Sequence, residues 1–194
     1  MSLILGILDS TGAAASTSSY ESIATVNPTG GASTISFTSI PSTYKHLQIR
    51  GIMHDNFGTD KAPNTGFDMG IQFNGDGNGS NYAKHHLYGN GSAAVASGSA
   101  STLITLPGTN QISTADYMSV MIIDIHDYAV TTKNKTLRAF NGADANGTGT
   151  TNRVVALNSG LWMNTAAINE ITLVAYGTGF VAPTQFALYG IKGA

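Results

Sequence analysis

The sequence predicts an all-β protein: an antiparallel β-sandwich, jelly-roll-like, carrying an extended N-terminal arm. Three observations point there. Apolar and polar residues alternate over short runs, the period of a half-buried strand rather than of a helix. Gly, Pro, Asn and Asp punctuate those runs at intervals of about 8–12 residues, the spacing of sandwiches and barrels. Polarity comes from Ser, Thr, Asn and Gly: only 10% of residues are charged, against roughly 25% in an average soluble domain.

The chain opens on an arm, residues 1–9, in which Leu3, Ile4, Leu5, Ile7 and Leu8 are apolar. Residues 10–19 are Ser, Thr, Gly and Ala up to Ser19, a composition that behaves as a flexible tether. No Lys or Arg precedes the apolar run and Gly6 interrupts it, so it lacks the basic start and unbroken apolar stretch of a secretory signal. An apolar arm is costly to leave in water, and it is expected to anchor the chain in a larger assembly. The boundary falls at 19/20, with the sandwich over 20–194.

From Tyr20 the strands follow in order. Residues 20–26 read as a strand, and Asn27 to Gly31 as a turn. In 34–38 Ile35 and Phe37 share one face, and Ile40 to Tyr44 forms a corner around Pro41. Residues 46–53 put Leu47, Ile49 and Gly51 together, and 67–73 put Phe67, Met69, Ile71 and Phe73 together. Residues 82–88 are a strand, whereas 93–101, built of Ala, Ser, Gly and Val, is too small to pack strongly and reads as a loop. A short strand at 103–106 ends on Pro107-Gly108, and 117–126 is the most apolar central run and the best core strand. Strands are expected at 135–141, 153–161, 170–176 and 185–191, with a Gly-rich loop over 142–151 and a bend at 166–168. Eight to ten strands in two sheets favour a jelly roll. No repeat of 20–50 residues is present.

Composition narrows the function. A net charge of −2 with scattered Lys and Arg gives no footprint for nucleic acid. No apolar run reaches the ~20 residues that span a bilayer, so no membrane insertion is expected. Cysteine is absent, which rules out disulfides and thiolate metal sites.

The motifs that invite chemistry each have a plainer reading. Asn74-x-Asp76-x-Asn78-Gly79 is similar to the first half of a calcium loop, but His85 stands where its closing Glu belongs. A Gly/Asn turn explains it better. Asp124 and His126 share a strand face and could be joined by His54, yet nothing in their spacing demands a metal or a catalytic pair. His85-His86 and the sequons at Asn90, Asn134 and Asn146 carry no stronger signal. No nucleophile elbow is present, so no catalytic residue, metal or cofactor is expected. Tyr82, Tyr88, Tyr128 and Trp162, with Tyr176, lie near turns and are candidates for stacking on a sugar, against the reading that they close the ends of the core.

Scattered segments then resemble a known group. Ser19–Val26, Ile35–Gly51, Phe73–Asp76 with Asn81-Tyr82, Ser159–Met163 and Phe186–Gly193 are similar to small structural proteins of tailed-bacteriophage virions. The Leu-Gly-Ile-Leu start looks like the anchor of tail-fibre-like proteins. The resemblance implies a virion location, a tail-fibre-like or head-decoration-like role and other virion proteins as partners, and it carries over no functional residue beyond the anchor. A homo-oligomer, a trimer by expectation, follows from arm and size. A carbohydrate-binding module acting on host-surface glycan is the alternative, and a hydrolase using Asp124 and His126 the third reading.

Overall fold

The computed structural model describes residues 18–54, 69–107, 118–144, 153–176 and 179–193. The anchor residues Leu3, Ile4, Leu5, Ile7 and Leu8 lie outside the described residues. Twelve strands are described: β1 (Tyr20–Val26), β2 (Thr34–Phe37), β3 (His46–Met53), β4 (Met69–Phe73), β5 (Tyr82–Gly89), β6 (Ala94–Ser101), β7 (Ile104–Leu106), β8 (Ser119–His126), β9 (Lys135–Asp144), β10 (Arg153–Trp162), β11 (Ile171–Val174) and β12 (Gln185–Ile191).

They form two antiparallel sheets, β1-β12-β3-β8-β9-β10-β5-β6 and β2-β11-β4-β7. The connectivity is that of a jelly roll. The ribbon β1–β2 runs against β12–β11, and the ribbon β3–β4 against β8–β7, so the double ribbon wraps into two facing four-stranded sheets. Two hairpins are inserted. β5–β6 falls between β4 and β7, and β9–β10 between β8 and β11; together they extend the first sheet beyond β8.

Alternation decides which face is buried. Leu47 and Ile49 of β3, Met121, Ile123 and Ile125 of β8, and Phe186 and Leu188 of β12 face Ile35, Phe37, Met69, Ile71, Phe73, Ile171 and Leu173 of the smaller sheet. Glycine lets aromatic rings lie flat on this face. A Cβ on Gly51 would stand 2.2 Å from the ring of Phe186, its partner on β12, and one on Gly190 would stand 2.3 Å from the ring of Tyr44. Under the inserted hairpins the core thins to a second cluster of Tyr88, Ala143, Val154 and Ala156.

Two expectations are corrected. Residues 93–101 are not a loop: Ala94–Ser101 is the edge strand β6, paired with β5 along its whole length. Its small side chains bury little, so backbone hydrogen bonding to β5 holds it. The loop expected from Gly142 begins later, because β9 continues to Asp144. Gly142 sits opposite Val155, where a Cβ would meet the Val154 carbonyl oxygen at 2.9 Å; this glycine serves a close approach inside a strand.

Candidate docking surface

Four of the five rings expected to stack on sugars are in the core, and Tyr176 is 39% exposed. Tyr82, Tyr128 and Trp162 are at most 1% exposed and Tyr88 is 8% exposed, so none has a free face for a sugar ring. This corrects the proposed glycan contacts. Tyr82 and Trp162 are cross-strand partners at one end of β5 and β10 and stack with ring centroids 6.4 Å apart. The Tyr82 hydroxyl accepts from the Phe73 N–H at 3.1 Å, and burial pushes its pKa up to about 12. Tyr128 donates its hydroxyl to the Pro41 carbonyl and pins the corner after β2. The apolar mass of these rings outweighed their position near turns.

The calcium-like motif is a structural clip. Asn74 and Gly75 turn the chain with positive φ, 51° and 66°. Asn74 Oδ1 accepts from the N–H groups of Asn169 and Glu170, and its amide donates to the Ala167 carbonyl. Asp76 Oδ2 accepts from Trp162 Nε1 and from the Asn81 amide, both at 2.8 Å, and Oδ1 accepts from the Asn78 N–H at 3.0 Å. Both carboxylate oxygens are thus engaged in holding the Trp162 end of β10.

The Trp162 indole N–H, then the Asn78 N–H and the Asn81 amide, hold the Asp76 carboxyl below its ordinary value of 3.8. A folded-state pKa below the unfolded one stabilises fully above the unfolded value and is lost as pH falls through the folded value. Unfolding midpoints in urea are therefore expected to drop below about pH 4, with a shallower acid slope for Asp76→Asn. An unchanged slope would show that the carboxylate contributes nothing. Asp127, lowered by Lys133 above all, accounts for acid sensitivity that remains in the variant.

Asp124, His126 and His54 do not converge. Asp124 pairs with Gln48 near the start of β3 and accepts from its amide at 2.7 Å. His54 follows the other end of β3, where its N–H donates to Thr184 Oγ1. His126 packs edge-on against His46, 5.3 Å between centroids. Among the described residues no cluster of His, Asp or Glu could hold a metal ion.

The feature that stands apart is the outer face of the larger sheet. Strand registers place Arg50, Ile122, Phe140, Leu157 and Leu87 in one row across β3, β8, β9, β10 and β5. The next row is Ile52, Val120, Gly142, Val155 and Gly89. Val120, Phe140, Val155, Leu157 and Leu87 are each more than half exposed and Ile122 is 41% exposed. A groove of about 960 Å³ runs along the second row, floored where Gly142 and Gly89 carry no side chain. No protein-family model matches the chain, and no curated protein matches it.

Six half-exposed aliphatic and aromatic side chains in adjoining rows form a contiguous band, and such bands mark interaction sites on soluble proteins. Covering them would be worth on the order of 5 kcal/mol before the costs of association. The band has a polar border. In the row beyond it Gln48 bridges Asp124 and the Arg50 Nε, each hydrogen bond 2.7 Å, and the Arg50 guanidinium lies over the rings of Tyr20 and Tyr189. None of the band residues stood out in the sequence. The available signal was that 119–126 and 153–162 are apolar in both phases of the alternation, a pattern that also fits a strand buried on both faces.

Proposed function

We propose that this chain is a non-enzymatic structural protein of a tailed-bacteriophage virion. The arm at 1–9 inserts into the tail or capsid, or joins neighbouring copies, and so holds an outward-facing sandwich on the tail, as a short fibre, adaptor or tip, or on the capsid as a decoration. The band of exposed apolar residues from Ile122 to Leu87 carries this reading, because a face of that kind is costly to leave in water and suits a subunit that works in an assembly. The resemblance of the sequence to virion structural proteins gives the assembly its class. The jelly roll is compatible with it but does not select it, since one fold hosts many functions. Copies of the chain are the first partners, in a cyclic homo-oligomer, a trimer by expectation, with other virion proteins beyond them. The carbohydrate-binding alternative is left with Tyr176 as its one exposed candidate ring, because Tyr82, Tyr88, Tyr128 and Trp162 are buried.

The test is removal of residues 2–9 from the phage-encoded chain, followed by quantitation of this protein in purified virions. Incorporation is expected to fall about tenfold or more, the equivalent of removing one well-buried leucine from the attachment. Unchanged incorporation would end the anchoring role.

A further inference from the structure

We infer that the apolar band on the outer face of the larger sheet receives residues 3–8 of a second copy of this chain. The inference rests on the anchoring reading above and names the surface that the arm meets.

Dimensions agree first. From β3 to β5 the band crosses four strand spacings, about 19 Å, and six residues in extended conformation cover about 20 Å. The groove between Val120 and Val155, floored by Gly142, has room for branched side chains such as those of Leu3, Leu5 and Ile7. Charge agrees as well. Asp9 directly follows the apolar run, and the exposed Arg50 guanidinium borders the band.

The direction in which the chain enters β1 favours a second copy over the same one, and the mixing experiment below separates the two. Tyr20 opens β1 on the outer face, opposite Ile191. Thr25, near the other end of β1, is level with the band through Ala187, Arg50 and Ile122. The tether therefore joins β1 four residues along the strand direction from the row of Arg50, about 13 Å, with the Tyr20 ring reaching the Arg50 guanidinium. To reach its own band it would have to reverse across the polar row of Gln48, Asp124 and Arg138. Asp9 to Ser19 can extend at most about 36 Å, enough to reach a neighbour. The contact is heterologous, arm of one copy to band of the next, and such contacts close into rings when the rotation permits.

The experiment uses the full chain. Leu5→Asp disables the arm. Phe140→Asp and, separately, Leu157→Asp disable the band at exposed positions that leave the core intact. Association is read by sedimentation velocity, and folding by urea midpoints. Each variant alone is expected to associate about 100-fold more weakly, the effect of placing a charge in an apolar contact. An equimolar mixture of an arm variant and a band variant is expected to form a 1:1 complex, since one intact arm and one intact band remain. In a second reading, Leu5→Cys and Leu157→Cys proteins mixed under oxidation give the mixed disulfide as the main product; the parent chain has no cysteine to compete.

If the band variants lose association and Leu5→Asp keeps it, two bands meet face to face and the inference is wrong. If Leu5→Asp alone loses it, the arm docks elsewhere; the inference is wrong while the anchoring role stands. Loss in both without complementation means the arm folds onto its own sheet and overturns the exchange. No loss in either overturns the inference and the arm's role between copies together.

Discussion

Replacing Trp162 with alanine is expected to remove about 3–5 kcal/mol of folding stability. The side chain is 1% exposed and ends β10 at the point where the sheet meets the 74–81 turn. Its ring packs on Phe73, 5.6 Å between centroids, and stacks on Tyr82. These rings come from β4, β5 and β10, so the cavity would open between the smaller sheet and the inserted hairpins. The indole N–H also satisfies Asp76, whose other partners are Asn78 and Asn81. Trp162→Phe retains most of the packing and loses the hydrogen bond, for an expected cost of about 1–2 kcal/mol. Urea unfolding of the two variants separates the contributions, and combining Trp162→Phe with Asp76→Asn should give less than the sum of the single effects. A loss below about 1 kcal/mol for Trp162→Ala would mean that the site collapses without cost and the clip is not structural.

The same cluster shows what was legible in the sequence. Alternation in 34–37, 46–53 and 119–126 sets the buried faces, and turn residues set the number of strands closely enough to suggest two sheets. Strand order was not legible, since pairing of β1 with β12 and of β5 with β10 joins residues far apart in the chain and local propensity is silent on such pairs. β6 is not legible in its own residues, because its signal is the unpaired edge of β5 and not its own side chains. Gly142 misled because a glycine needed for close approach looks the same in sequence as one needed for a turn. The aromatic candidates failed for a related reason. A ring near a turn can cap the core or face a ligand, and only the course of β4, β5 and β10 places Trp162 and Tyr82 inside. The apolar band was written in the sequence as apolar residues in both phases of β8 and β10, and without the topology nothing shows that the second face is uncovered.

Lys135→Met is expected to cost about 2–4 kcal/mol at neutral pH, from balancing unmade hydrogen bonds against relief of a buried charge. Lys135 begins β9 and is fully buried, an uncommon place for a lysine. Its ammonium donates to the carbonyls of Val130 at 2.5 Å, Lys133 at 2.8 Å and Thr165 at 2.9 Å. Three donors thus meet three acceptors, and the loop between β8 and β9 is tied to the one after β10. Methionine matches the length of the lysine stem and removes the charge, which alone would stabilise. The carbonyls, however, belong to loop residues gathered around the buried ammonium, and each loses a charge-assisted partner, at about 1–3 kcal/mol where water does not replace it. Their combined cost exceeds what is regained from desolvation. The pH dependence offers an independent check. Burial, with the nearby Lys133, holds the Lys135 ammonium below its ordinary value of 10.5. Between the folded and unfolded values the unfolded chain binds the extra proton, so wild-type stability gains on the methionine variant as pH rises toward 10.5. Urea midpoints at neutral and alkaline pH measure both effects. A variant as stable as wild type at pH 7 would show that the three carbonyls are satisfied without the ammonium, whereas a gap that narrows with rising pH would show that the three hydrogen bonds outweigh burial and hold the Lys135 pKa above its ordinary value.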